Sequence, residues 1–192
     1  MTASNIWVLD NNLLSFALNA GVDGLVADAV VRMRPHDDVA TAEHVPLELK
    51  RDSRLGGLWS RSRLRDALRT IPLVVGSEEE RHYHAMGSAL SARRKTGLRD
   101  DGEHACIAIC TTLPGAIFVS HDAGSIRLAV SEMARISPAT GRVATTSELL
   151  RALHERGSLP WDAVDAIVAT RGSHSTRLPD PSWWDGWFRA RP

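Results

Sequence analysis

Short apolar runs alternate along this chain with longer segments whose apolar residues recur at helical spacing. The runs predict strands, because strands that are covered on both faces of a sheet are continuously apolar. They cover residues 6–9, 39–42, 71–75, 116–119 and 142–144. Strand and helix alternate from the beginning of the chain, which predicts an α/β fold with a mainly parallel, doubly wound sheet.

Capping residues and glycines set the bounds of the predicted helices. Gly21 ends the first helix, Asp23 begins the second, and Ser77 followed by three glutamates is typical of a helix start. The predicted helices are residues 12–19, 23–31, 44–51, 60–68, 77–91, a helix from 102 onward, 122–134, a helix from 147 onward, and 161–169. Helices on both faces of a small sheet give three α/β/α layers over residues 1–159. Residues 160–192 then form a helical, Trp-rich extension that packs on the domain or on a partner.

Length and composition indicate how many domains the chain forms but say little about its function. With 192 residues and 43% apolar content, the chain is long enough for one domain with a sizeable core and a short appendage. Lys plus Arg equals Asp plus Glu at 23 each, so net charge indicates no particular partner. Lys50 and Lys95 are the only lysines. Arginine is the better bidentate ligand for phosphate, but a GC-rich genome explains the same bias.

Two further sequence features concern cellular context. Cys106 and Cys110 are four residues apart in an apolar stretch, which indicates buried helix positions and neither a disulfide framework nor a zinc site. We find no signal peptide before the first strand and no apolar run of the roughly 18 residues that a membrane span needs. The expected location is the cytoplasm.

Four acidic residues stand at strand ends or helix starts. Asp10 follows the first predicted strand, Glu48 lies in an apolar helix, Glu103 begins a helix, and Asp122 follows the strand at 116–119. The carboxyl ends of parallel strands meet at one edge of a sheet, where binding sites form. Carboxylates gathered there need a counter-charge, and Mg²⁺ or Mn²⁺ with oxygen ligands is the usual one.

Four short segments around these acids resemble the PIN-domain nuclease family in their order and spacing. They are Asp10-Asn11-Asn12, Val45-Pro46-Leu47-Glu48, Gly102-Glu103-His104-Ala105 and Phe118-Val119-Ser120-His121-Asp122. The resemblance extends over residues 6–159 and is best with the subgroup that has Gly-Glu at the third acid. One departure is Asn11, where the family often has Thr.

The resemblance implies a metal-dependent ribonuclease. Asp10, Glu48, Glu103 and Asp122 would be both the catalytic residues and the ligands of Mg²⁺ or Mn²⁺, and the products would carry a 5′-phosphate and a 3′-hydroxyl. Asn12, Ser120 and Asp101 would orient these ligands without binding the metal themselves. Many members are toxins of bacterial toxin–antitoxin pairs, which implies an antitoxin protein as partner and leaves a homodimer open.

Each site residue also has a structural interpretation. Asp10 and Asp122 could instead cap helices, and Glu48 could form a salt bridge with an arginine. Glu103 could simply be stabilised by the dipole at the N-terminus of its helix. Glu43 is the alternative to Glu48 if the register is shifted. Asp101 is interpreted as the cap of the helix that carries Glu103. The side chains of His104 and His121, which adjoin site acids, are expected to point away from the site, and His121 is the better candidate of the two for a substrate contact.

Basic and aromatic clusters suggest RNA contacts, although solvated helix faces and packing account for them equally well. The candidate phosphate contacts are Arg51, Arg54, Arg93, Arg94 and Lys95. Trp183, Trp184, Trp187 and Phe188 are interpreted as packing residues that could instead stack on bases. The rival hypothesis is a catalytically silent, PIN-like binding or scaffold module. A phosphatase with Asp10 as nucleophile is disfavoured, because Asn12 replaces the second Asp that such chemistry needs.

Overall fold

The computed structural model describes residues 5–91, 101–136 and 142–171. Its centre is a five-stranded, all-parallel sheet in the order β3-β2-β1-β4-β5. The strands are β1 (Ile6–Leu9), β2 (Asp38–Ala42), β3 (Arg69–Ile71), β4 (Ala116–Ser120) and β5 (Arg142–Thr145). Strands β2 and β3 lie on one side of β1, and β4 and β5 lie on the other, so the strand order reverses between β1 and β4. These two strands are neighbours in the interior of the sheet, and their carboxyl ends adjoin.

Ten helices of the described residues cover the sheet. They are α1 (Asn11–Ala20), α2 (Asp23–Met33), α3 (His44–Arg51), α4 (Gly56–Arg61), α5 (Leu64–Ala67), α6 (Glu78–Ser91), α7 (Asp101–Thr112), α8 (Ala123–Ile136), α9 (Thr146–Gly157) and α10 (Trp161–Arg171). Helices α7 and α8 pack on one face, with α6 outside them, and α2 and α9 pack on the other beside α1 and α10. This arrangement confirms the predicted three-layer α/β/α fold.

Local sequence explains how the central elements begin and end. All five residues of β4 are buried, as expected of an interior parallel strand. Asp10 is the N-terminal cap of helix α1. The helix is followed by Gly21, whose left-handed backbone (φ 69°) allows its N–H to donate to the carbonyl oxygens of Ala17 and Leu18. Helix α9 begins with a reciprocal capping box between Thr145 and Glu148.

Three predicted elements differ from the observed ones. The third strand was expected at 71–75 and lies at Arg69–Ile71. The helix expected at 60–68 is two short helices, α4 and α5, separated around Ser62. Helix α7 begins at Asp101, so Asp101 is the first residue of the helix rather than its cap.

Several other features of the sequence can be located in the structure. Cys106 and Cys110 are buried free thiols in α7. Helix α10 lies in the predicted C-terminal extension and packs on α1. The Trp-rich segment from Trp183 to Phe188 lies outside the described residues. Within the parts of the chain that are described, no helix has the length and apolar character to cross a membrane.

Candidate functional site

Asp10 is the most deeply buried acid at the carboxyl edge of the sheet. It follows β1, and its own N–H donates to Val119 of β4 at 3.2 Å. Its Oδ1 accepts from the backbone N–H of Asn12 at 2.9 Å, and its Oδ2 accepts from the Asn12 side-chain amide at 2.6 Å. The same amide donates to Ser120 Oγ at 3.2 Å, which ties Asp10 to the end of β4.

Burial dominates the ionisation of Asp10. It raises the pKa of this carboxyl from its ordinary value of 3.8 to about 6, and hydrogen bonds from Ser120 and Asn12 limit the rise. The nearby charge of Asp122 raises the pKa further. Two acids that influence each other in this way are close neighbours, and a positive charge between them would favour the ionised form of both.

Asp122 occupies the matching position on β4, directly before α8. Its Oδ1 accepts from the backbone N–H of Ser125 at 2.9 Å and from the Ser125 hydroxyl at 3.1 Å, as the cap of a helix does. Its own N–H donates to Ser120 Oγ at 3.0 Å. Ser120 therefore contacts both Asp122 and the residue that holds Asp10, and it fixes the spacing of the two acids.

Glu48 reaches the same edge of the sheet from α3. Its Oε1 accepts from the backbone N–H of Gly102 at 2.6 Å, and its Oε2 accepts from the Asn11 side chain at 3.4 Å. The thiol of Cys106 donates to Leu9 O at 3.1 Å. Burial raises the pKa of this thiol, and the charges of Asp10 and Glu48 raise it further, which places both carboxylates near one buried sulfur.

Glu103 lies in the first turn of α7 and is half-buried. It is the residue after Gly102, so the contact between Glu48 and Gly102 fixes the backbone from which the Glu103 side chain extends. Asp101 precedes the pair and is also half-buried. The start of α7 therefore carries two half-buried acids beside the contact between Glu48 and Gly102.

The donor chemistry of this edge suits a hard divalent cation, because it consists of carboxylate and amide oxygens. As placed, no three His, Cys, Asp or Glu side chains of residues 5–91, 101–136 and 142–171 form a group that could hold a metal ion. Such a group is not a requirement for Mg²⁺, which commonly keeps several waters and binds through one or two carboxylates. Among the acids of this edge, the charge of Asp122 is the one that raises the pKa of Asp10.

The candidate RNA-binding residues fall into two sets. Arg51 at the end of α3 and Arg54 just after it are exposed. Arg93, Arg94 and Lys95 lie outside the described residues. Three arginines elsewhere on the surface are paired with acids, which supports the interpretation of a solvated face for them. These pairs are Arg63 with Asp28, Arg65 with Asp66, and Arg69 with Asp38.

The structure shows where two neighbouring residues lie. His121 is only 3% exposed and packs edge-on against Phe16 with ring centroids 5.6 Å apart, so its side chain is enclosed by the fold. Glu43 does not replace Glu48, because its Oε1 accepts from the N–H of Leu73 at 3.1 Å beyond β3. Sequence reasoning gave no role to the Asn11 side chain or to Gly102, although a glycine directly before a site acid was a signal for close packing.

Comparison with known proteins adds no family assignment: no protein-family model, no curated protein and no solved structure matches this chain.

Proposed function

We propose that the protein is a metal-dependent endoribonuclease of the PIN-domain type. The observation that carries the proposal is the pairing of Asp10 and Asp122 across Ser120 at the carboxyl edge of the sheet. Glu48 is bonded to Gly102 at the start of α7, directly before Glu103, and we propose that both glutamates belong to the same site. Parallel α/β sheets bind their ligands at this edge, where the strand order reverses.

The proposed cofactor is Mg²⁺ or Mn²⁺, held by Asp10, Asp122, Glu48 and Glu103 directly or through water. When bound, the metal would lower the pKa of a water molecule and stabilise negative charge on the phosphoryl oxygens of RNA. Asp10 must be ionised to serve as a ligand, so a proton on this carboxyl, whose pKa is raised by burial to about 6 in the metal-free protein, would compete with the metal. Asn12 and Ser120 would fix the direction of the Asp10 oxygens.

The proposed setting and partners follow from the resemblance. We place the reaction in the cytoplasm, with RNA bound along Arg51 and Arg54 and along Arg93, Arg94 and Lys95. The proposed role is that of a toxin masked by a small antitoxin protein, and the resemblance leaves a homodimer open. Mass measurement in solution, with and without the product of an adjacent small gene, tests both partners.

Cleavage of mixed labelled RNAs by the purified chain tests the central claim. We expect cutting with Mn²⁺ or Mg²⁺, no cutting in EDTA, and a loss on the order of 100-fold or more in Asp122→Asn. Glu155→Gln is the matched control, since it removes one carboxylate charge from an exposed pair with Arg151. Equal activity of Asp122→Asn and the control would refute the site assignment.

The geometry also supports a second candidate, a catalytically silent binding module. Asp10, Asp122 and Glu48 each accept a hydrogen bond from a backbone N–H in the first turn of a helix, which is a sufficient structural role for an acid. This candidate predicts that Mn²⁺ does not bind and that Asp122→Asn only loses stability. Binding of Mn²⁺ to the wild-type chain, lost in Asp122→Asn, would exclude it.

A further inference from the structure

The Glu48 carboxylate and the first turn of α7 are in direct contact. The backbone N–H of Gly102 donates to Glu48 Oε1 at 2.6 Å, a short bond of the kind that a charged acceptor makes. Asn11, which follows Asp10, donates to the other oxygen at 3.4 Å. One side chain thus joins α3, α7 and the start of α1 at the acidic edge.

The absence of a side chain at position 102 makes this contact possible. A Cβ built on Gly102 would lie 2.8 Å from Glu48 Oε2 and 2.9 Å from Val45 Cγ2, closer than carbon atoms in proteins approach. The backbone of Gly102 is not in the left-handed region, so alanine could adopt its conformation. Space alone therefore requires glycine here.

We infer that Gly102 is a positioning residue for the acidic site. Its missing side chain lets Glu48 hold the start of α7, and this contact fixes the neighbouring Glu103 relative to Asp10. Cys106, one helical turn further along α7, holds the helix to Leu9 at the end of β1. Helix α7 is therefore attached both to the strand that precedes Asp10 and to the helix that carries Glu48.

Alanine at position 102 would act mainly by displacing Glu48. The carboxylate is the free end of a flexible side chain and can turn away, whereas Val45 is buried and has less freedom. Once displaced, Glu48 no longer accepts the Gly102 N–H, and Glu103 loses its support. Residues that orient metal ligands typically change metal affinity by about 10- to 100-fold when they are replaced.

A double-mutant cycle in the full chain tests the inference. Mn²⁺ affinity is measured by titration calorimetry for wild type, Gly102→Ala, Glu48→Ala and the double variant. We expect Gly102→Ala to lose about 10-fold or more in affinity, and the double variant to lie within about twofold of Glu48→Ala. Gly24→Ala is the control, because Gly24 is also helical but has no atom within 4 Å of the added carbon.

Unfolding by denaturant in EDTA, run on the same four proteins, reports the contact without metal. If Gly102→Ala fails to fold, Val45→Ala with Gly102→Ala removes the other close neighbour and takes its place in the cycle. Additive effects, or a Gly102→Ala protein with wild-type affinity, would overturn the inference.

The metal part of the inference rests on the proposed function, and the cycle separates the two. If the wild-type chain binds no Mn²⁺, the nuclease proposal fails, and the unfolding cycle alone decides whether Gly102 acts through Glu48. If the wild-type chain binds Mn²⁺ and the substitutions at 48 and 102 act independently, the nuclease proposal stands and the positioning role of Gly102 falls.

Discussion

At the scale of single residues, Asp10 is an acid whose ionised form is destabilised by its surroundings. Burial makes the ionised carboxylate unfavourable, and two hydrogen bonds from Asn12 offset only part of that cost. Asp122 adds repulsion. The ionised carboxylate of Asp10 therefore lacks enough favourable interactions in the fold, and a nearby cation would stabilise it strongly. Asp10 is for this reason the residue most informative about the site.

Replacing Asp10 by Asn should remove a pH dependence of stability. The folded pKa of about 6 lies above the ordinary value of 3.8, so the folded state binds the extra proton between these values. The stabilisation is fully present below about pH 4 and is lost as pH rises through 6. We expect wild type to lose on the order of 2 kcal/mol more than Asp10→Asn between pH 4 and 7.

Denaturant unfolding in EDTA at several pH values measures this difference, and subtracting the variant removes the contribution of all other titrating groups. Ser125→Ala, which weakens the support of Asp122 and leaves Asp10 ionisable, serves as the control and should keep the pH dependence. Parallel pH profiles for wild type and Asp10→Asn would show that Asp10 titrates normally in the folded protein.

The sequence was most informative where a residue's position follows from its own strand. Asp10 and Asp122 come directly after apolar strands, so their meeting at one edge follows from a parallel sheet. The contact between Glu48 and Gly102 joins positions 54 apart and depends on how α3 packs on α7, which no local pattern encodes. The packing of His121 against Phe16 of α1 is likewise a tertiary contact that no local pattern encodes.

At the scale of elements, the centre of the sheet was predictable and the edge strand β3 was not. Strand β4 is buried throughout and carries an unmistakable apolar run. Strand β3 is an edge strand with two exposed residues, and its pairing with Ala40–Ala42 of β2 determines where it lies. The break between α4 and α5 depends on Ser62, whose hydroxyl donates to Asp23 of α2 at 2.5 Å. Tertiary contacts override local propensity in both places.

Helices α2 and α9 pack closely enough that Gly157 has no room for a side chain. A Cβ built there would contact the backbone oxygen of Ala29 and lie 3.0 Å from its carbonyl carbon. Because these are backbone atoms of a packed helix, they cannot rotate away as the end of a flexible side chain can. We expect Gly157→Ala to destabilise the protein by about 1–3 kcal/mol, measured by denaturant unfolding.

The control for Gly157→Ala is again Gly24→Ala in α2, where alanine meets open space and should be neutral or slightly stabilising. Gly157 lies at the far end of α9 from its capping box, so Mn²⁺ affinity in the folded variant should remain at the wild-type value. A destabilisation no larger than that of the control would mean that the two helices separate at little cost.

At the scale of the whole molecule, three helices begin at the acidic edge. Helices α1, α7 and α8 each direct first-turn N–H groups toward Asp10, Glu48 and Asp122. Helix N-termini carry partial positive charge and stabilise nearby carboxylates by roughly 0.3–1 kcal/mol each. The helix N-termini therefore stabilise the three acids when no metal is bound. A divalent cation carries more positive charge than a helix N-terminus and would stabilise the same acids further.

Metal binding should therefore raise the stability of the entire fold. A ligand that binds only the folded state contributes about 2.7 kcal/mol at a concentration of 100 Kd, which corresponds to roughly 5–10 °C in Tm for a chain of this size. Thermal unfolding with Mn²⁺ against EDTA measures the shift. Because a proton on Asp10 competes with the metal, the shift should be larger at pH 7.5 than at pH 5. Asp122→Asn should abolish it and Glu155→Gln should preserve it, whereas an equal shift in both variants would place the cation elsewhere on the molecule.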